Sequence, residues 1–202
     1  MMTVDLESVA VVSQLLRLAA YGVCIDDDGR ILLARYVSPD RAQRHWTLPG
    51  GKVEHAEDPY DAVVREVAEE TGYTADVVSL LGVDSRTWHV DWAGPTGGEL
   101  HCVGIFYSIA LVGGELRHET DGSTDMAAWV PISDVPDLER TVIIDTALDL
   151  HHNRPASGHV EPVPIGGLCA INPAVLTAIP VMTNVWWNAD VKQQPGHDRS
   201  CL

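Results

Sequence analysis

Positive charge is scarce in this 202-residue chain: 13 Lys and Arg stand against 29 Asp and Glu, a formal net charge of −16. An acidic surface of that size repels a nucleic-acid backbone, which excludes duplex nucleic acid as a non-specific partner. It repels a small phosphate-bearing substrate as well. A polyphosphate could be held only through a bound cation or a local basic patch. Cysteine is also sparse, and Cys24, Cys102, Cys169 and Cys201 are scattered, with no C-x-x-C pair and no His at zinc-finger spacing. That pattern excludes a disulfide scaffold and fits a reduced setting. No uninterrupted apolar run approaches about 18 residues, so no membrane span is expected. Residues 1–7 carry Asp5 and Glu7 and no basic stretch, so no signal peptide is expected and the cytoplasm is the expected compartment. Internal repeats and low-complexity tracts are absent. The apolar fraction of 46 % is ordinary for a globular protein, and the length suits one domain with an appended arm.

What is present reads as alternating strands and helices. Ser8 caps a short predicted helix over residues 9–18. Residues 19–25 and 31–36 are rich in β-formers, and the turn Asp26-Asp27-Asp28-Gly29 between them predicts a hairpin. A polar loop opening at Ser38-Pro39 holds Arg41, Arg44 and His45, the densest basic cluster in the chain. Trp46-Thr47-Leu48 is a brief extended piece stopped by Pro49-Gly50-Gly51. Strand-like runs follow at 75–81, 83–90, 100–111 and 127–131, and residues 141–150 form a second amphipathic helix closed by His151-His152, where cationic side chains suit a helix C-terminus. Trp88 and Trp92 are assigned to sheet packing. The order predicts an α/β fold, a mixed sheet with helices on its faces. From Arg154 onward the texture changes. Pro155, Pro162, Pro164, Pro173, Pro180 and Pro195 rule out long regular elements, yet residues 165–187 are too apolar for a solvated tail. The predicted division is a domain over 1–153 and an extension over 154–202, packed on the domain or on a second subunit of a homodimer, with disorder from about Lys192.

The segment from Gly50 to Tyr73, GGKVEHAEDPYDAVVREVAEETGY, carries the chemistry. Asp58 is a good N-cap, Pro59 sits at the first helical position, and Gly72 supplies a left-handed stop. Tyr60, Val63, Val64, Val67 and Thr71 fall on one side of the helical wheel; Asp61, Arg65, Glu66, Glu69 and Glu70 fall on the other. Glu66, Glu69 and Glu70 lie at i, i+3 and i+4, so their carboxylates project from one face. They crowd the last turn, where the helix dipole disfavours each by roughly 0.3–1 kcal/mol. Like-charge spacing adds about 0.2–0.5 kcal/mol per pair. Local rules broken at one place mark functional sites, and convergent oxygen ligands suit a hard cation such as Mg²⁺ or Mn²⁺. A charged helix face is nonetheless most often merely solvated, so energetics alone does not decide.

Spacing decides. Gly51, Glu57, Arg65-Glu66-Val67, Glu69-Glu70 and Gly72 reproduce a fixed pattern: Gly, five residues, Glu, seven residues, Arg-Glu, an aliphatic, any residue, Glu-Glu, any residue, Gly. With each charged or glycine position filled by chance roughly 7 % of the time, seven matches are on the order of one in a hundred million per start. The segment resembles the signature of the Nudix hydrolases, and the resemblance runs from about Leu18 to His151, with Trp46-Thr47-Leu48-Pro49 and Trp129-Val130-Pro131-Ile132 as family-like flanks. Two positions depart from the pattern. Ala56 stands where many members have Gly, and Tyr73 replaces an aliphatic, a change expected to affect packing.

The resemblance implies an α/β/α sandwich around a mixed sheet, with a loop–helix–loop catalytic motif. It implies Mg²⁺- or Mn²⁺-dependent hydrolysis of a pyrophosphate bond in a small-molecule nucleotide. Glu66, Glu69, Glu70 and the Gly50 carbonyl would hold the metal, and Glu66 would take the proton of the attacking water. Glu57 would engage Arg65, which orients the carboxylates. Arg44 and Lys52, with Arg41 and His45, are candidates for the substrate phosphates. Glu119, Asp121 and Asp125 are the candidates for a further acidic ligand. The box resembles that of mutator-type enzymes acting on nucleoside triphosphates, including oxidised ones. ADP-ribose or another nucleotide sugar is the alternative substrate, but its usual marker, a Pro about fifteen residues past the box, is replaced by Thr87, Trp88, His89 and Val90. The tyrosine of dinucleoside-polyphosphate cleavers is absent too. A non-catalytic ligand-binding module is the third reading, disfavoured by the intact carboxylates.

Overall fold

The computed structural model describes residues 13–90, 93 and 97–162. Its seven strands form two sheets. β1 (Ser13–Val23), β4 (Gly50–Lys52), β5 (Tyr73–Val90) and β6 (Gly98–Gly114) build one, in the order β4-β1-β6-β5. β1 runs parallel to β6 and antiparallel to β4, so this sheet is mixed. β2 (Arg30–Val37), β3 (Arg44–Thr47) and β7 (Thr124–Pro131) build an antiparallel sheet in the order β3-β2-β7. Helices α1 (Pro59–Thr71) and α2 (Val142–Asn153) complete the fold, with a 3-10 turn at Ile132–Asp137 before α2.

Strand alternation splits the core into two layers. Ile31, Leu33, Val23 and Phe106 pack with Ile144, Ala147 and Leu150 of α2. Leu32, Ala20, Cys24 and Ile109 pack with Ala62, Val63 and Val67 of α1. Successive residues of β2 thus serve opposite helices, as the period of two requires. The expected α/β/α sandwich is what the chain forms. Among the described residues no helix is long and apolar enough to cross a membrane.

Several expectations need correction. Residues 13–18 are not helical but begin β1, although Gln14, Leu15, Leu16 and Arg17 are good helix formers. Pairing with Gly98–Val103 of β6 overrides that local preference; residues 9–12 lie outside the described residues. β1 and β2 do not form a hairpin. The turn is there, with Gly29 N–H donating to the Asp26 carbonyl at 3.0 Å, but only the Ile25–Ile31 bridge links the two chains. Both edges of β1 are already taken by β4 and β6, so β2 turns away into the other sheet. Gly82 does not separate two strands; it lies at a register shift inside β5. There the chain after α2 comes against it, and a Cβ at Gly82 would stand 2.2 Å from the Gly158 carbonyl oxygen. That oxygen accepts from Val83 N–H at 2.9 Å, and Val160 joins the α2-side core. Residues 158 and 160, in the first part of the extension expected over 154–202, thus pack on the domain. Residues 163–202, which hold most of the proposed arm, and Trp92 lie outside the described residues. Tyr73 does more than fill space: its hydroxyl accepts from Trp129 Nε1 at 3.3 Å, with the rings edge to face.

Candidate active site

The acidic helix is built as its sequence dictates. Asp58 accepts from Tyr60 N–H at 2.8 Å, and Gly72 closes α1 at φ 78° with its N–H on the Ala68 carbonyl. β4 pairs with β1 through Gly50 and Tyr21 and lays the loop over the last turns of α1. Gly50 adopts φ 143°, and a Cβ there would stand 2.3 Å from the Ala20 carbonyl oxygen, so only glycine fits. Its N–H donates to Glu70 Oε2 at 2.9 Å.

This cover changes the expected faces of α1. Glu70, which the helical wheel sets on the charged side, is 4 % exposed, whereas Tyr60, expected to be buried, is 47 % exposed. Burial pushes the Glu70 carboxyl well above its usual range; the Gly50 N–H opposes this, and the charges of Glu66 and Glu119 add to it. Glu66 is raised by burial as well, against the pull of Arg65 and with further help from Glu69 and Glu119.

Arg65 organises the remainder. Its Nε and Nη2 donate to the two oxygens of Glu57 at 2.8 and 3.0 Å. Nη1 reaches Glu66 at 2.9 Å and Glu69 at 3.1 Å. The Arg65 guanidinium holds the Glu57 carboxyl down at about 2, and Glu57 in turn raises the guanidinium. Among the described residues, no three His, Cys, Asp or Glu side chains already surround a point that could hold a metal ion; Arg65 is the cation that gathers them.

The three candidate loop carboxylates separate cleanly. Asp125 is tied to Arg35 at 2.8 Å and Arg44 at 3.0 Å, and those bonds hold it below the usual carboxylate range. Asp121 lines the adjoining cavity. Glu119 accepts from Thr124 N–H and Oγ1 at 3.0 and 2.8 Å and alone of the three acts electrostatically on both Glu66 and Glu70. Ala56, at the loop position where glycine was expected, sits at φ 63°.

A cavity of about 720 Å³ opens from this cluster, within the usual size for a small-molecule site. Gly50, Gly51, Lys52, Glu66 and Glu70 line one end. Lys52 is exposed and 3.2 Å from Glu54. Arg41 and His45 also line the cavity; His45 stacks on Tyr36 with centroids 4.7 Å apart. Arg44 does not line it, being held by Asp125 and by the Arg41 carbonyl. Sequence reading missed three charged lining residues, Arg17, Asp84 and Arg86. Arg17 was placed in a helix, and Asp84 and Arg86 were passed over as strand charges, although their spacing of two already puts them on one face.

The NUDIX domain model matches residues 15–148. A putative mutator protein MutT4 from Mycobacterium tuberculosis is 36 % identical over 97 residues, covering 48 % of this chain and 36 % of that protein. An ADP-ribose pyrophosphatase from Methanocaldococcus jannaschii is 34 % identical over 120 residues, covering 59 % of this chain and 64 % of that protein. The chain thus spans less than two-thirds of the length of either curated relative. Among solved structures, a MutT NUDIX hydrolase from Burkholderia pseudomallei is 31 % identical with a TM-score of 0.52, covering 67 % of this chain and 97 % of its own. The matched span takes in well over half of the chain and all of the acidic helix: this chain belongs to the NUDIX domain family.

Proposed function

We propose that the chain is a divalent-metal-dependent hydrolase of pyrophosphate bonds, acting on nucleoside triphosphates, oxidised ones included. The observation that carries this reading is Glu70, a buried carboxylate facing Glu66 and Glu119 at the mouth of a nucleotide-sized cavity. Such a cluster is costly without a counter-charge. Glu57, Glu66 and Glu69 share the guanidinium of Arg65, while the charges of Glu66, Glu69 and Glu119 act on Glu70, which has no ion pair among the described residues. The donor set is all oxygen and over-acidic, which fits Mg²⁺ or Mn²⁺. Glu66, Glu69, Glu70 and the Gly50 carbonyl would hold the ion, with Glu119 as the further carboxylate.

When bound, such an ion screens the diphosphate charge and makes water easier to deprotonate. The chain's own residues do the rest. Glu66, which lines the cavity and is held by Arg65 Nη1 at 2.9 Å, accepts the proton of the attacking water. Arg65 fixes that carboxylate in place and is itself clamped by Glu57, so the base is oriented before substrate arrives. The Gly50 N–H does the same for Glu70. Lys52, Arg41 and Arg17 line the cavity and offer positive charge to the phosphates. Arg44 reaches a substrate only by leaving Asp125.

The relative named a putative mutator protein fits a mutator-type enzyme, the class in which the triphosphate reading falls. The archaeal relative, matched over more of its length, supports a nucleotide sugar as the second reading. Product masses separate them: the chain is incubated with Mg²⁺ and a panel of nucleoside triphosphates, an oxidised dGTP and ADP-ribose. Nucleoside monophosphate released from triphosphates supports the first reading, and AMP released from ADP-ribose alone supports the second. No turnover of any member by folded protein would leave a ligand-binding module.

A further inference from the structure

Across one face of the mixed sheet runs a trough. The register sets Lys52 beside Ala19, Ala19 beside Gly104, and Gly104 beside Asp84. One row along, Arg17, Cys102 and Arg86 are neighbours. On the other side, Tyr21 and Phe106 form an aromatic wall with ring centroids 5.6 Å apart. All three rows line the cavity. Ala19 and Gly104 leave the floor nearly bare; a Cβ at Gly104 would already stand 3.3 Å from both Tyr21 and Phe106. With adjacent strands about 4.8 Å apart, Asp84 on β5 lies about 14 Å across the sheet from β4. A substrate whose diphosphate meets the acidic helix at β4 therefore extends its far end toward Asp84.

Two unlike charges close that end. Arg86 Nε donates to Asp84 Oδ2 at 3.0 Å, with the side chains only 18 and 14 % exposed. Arg86 Nη2 reaches Thr146 Oγ1 at 3.3 Å. Asp84 Oδ1 and Arg86 Nη1 have no further hydrogen-bond partner among the described residues. A desolvated ion pair is a poor source of stability, since apolar replacements are often as stable. One acceptor and one donor left over in a cavity wall are what recognition of a polar edge requires.

We infer that Asp84 and Arg86 select the substrate's base, and that the base presents two adjacent N–H donors beside a carbonyl, as guanine does. This assignment rests on the hydrolase reading above. Arg86 Nη1 donates to the carbonyl, while Asp84 accepts from the amino group through the free Oδ1 and from the ring N–H through the second lone pair of Oδ2, beside its bond from Arg86 Nε. Adenine and cytosine place a bare ring nitrogen next to the amino group and set its lone pair against Asp84. Hypoxanthine keeps the carbonyl and ring N–H but lacks the amino donor. Oxidation on the five-membered ring leaves the recognised edge intact, so this pair selects guanine without distinguishing its oxidised form.

The test compares kcat/KM for dGTP, dITP and dATP with Mg²⁺ in the full chain, in Asp84→Asn, and in Asp84→Asn/Arg86→Gln, whose two neutral amides can still pair. The wild type is expected to favour dGTP over dATP by at least about tenfold, with dITP between. Both variants are expected to lose that preference, mainly through KM for dGTP; the double variant, which leaves no stranded charge, is expected to melt near wild type, and Asp84→Asn, which strands Arg86, to melt lower. Equal use of dGTP and dATP by the wild type, or an equal loss on both in the variants, overturns the assignment. A wild type that hydrolyses none of the three refutes the triphosphate reading instead. Equilibrium binding of dGMP and dAMP then decides separately: a dGMP preference abolished by Asp84→Asn supports the assignment, and equal binding overturns it.

Discussion

Replacing Glu70 with Gln is expected to stabilise the metal-free protein while disabling it. Glu70 is 4 % exposed and accepts one hydrogen bond, from Gly50 N–H. Ionising it in place costs several kcal/mol after relaxation, of which a charge-assisted hydrogen bond returns about 1.5–3 kcal/mol. The remainder is on the order of 1–2 kcal/mol, and Gln removes it while keeping an acceptor for Gly50. For a chain of this size that amounts to about 2–8 °C in Tm. The sign follows from linkage. The folded Glu70 carboxyl titrates above its ordinary 4.5, so its contribution is fully present below that value and is lost as pH rises through the folded one. Glu66, also raised, acts in the same direction. In chelator, the wild type should therefore weaken relative to Glu70→Gln between pH 5 and pH 8. Mg²⁺ should reverse the order by stabilising the wild type alone. A variant that melts below wild type at pH 8 in chelator, or a gap independent of pH, would refute the reasoning.

Glu66→Gln should lower turnover by about 10²–10⁴, the range for a lost general base, with unchanged far-UV circular dichroism; near-wild-type rates would remove Glu66 from that role. Ala56→Gly should raise stability by about 0.5–1 kcal/mol, because an L-residue at φ 63° carries strain that glycine escapes; a lower Tm would contradict this. Truncation after Asn153 should lower Tm by several degrees relative to truncation after Pro162. It removes Val160 from the core, about 1.5–3 kcal/mol, and the bond between Gly158 and Val83; equal melts would show that the segment contributes nothing.

The parts of the fold that were readable in the sequence are those governed by local chemistry. Asp58, Pro59 and Gly72 punctuate α1 where their capping preferences place it, and the spacing of Glu57, Arg65, Glu66 and Glu69 brings them into one ion-paired cluster. What escaped depends on partners distant in sequence. Residues 13–18 look helical until β6 pairs with them. Asp26–Gly29 is a good hairpin turn, but β1 has no free edge for β2. Glu70 belongs to the polar side of the wheel, and only the Gly50 loop buries it. Glu119 could not be told from Asp121 and Asp125 because the arginines that claim Asp125, Arg35 and Arg44, lie 90 and 81 residues away.

The most direct test of the central claim is nucleotide hydrolysis followed through removal and return of the metal. The carboxylates gathered on α1 should release product from a nucleoside triphosphate in Mg²⁺, fall silent in chelator, and recover when Mg²⁺ is restored. Hydrolysis that continues unchanged in chelator, or folded protein that cleaves no pyrophosphate with Mg²⁺ present, would contradict it.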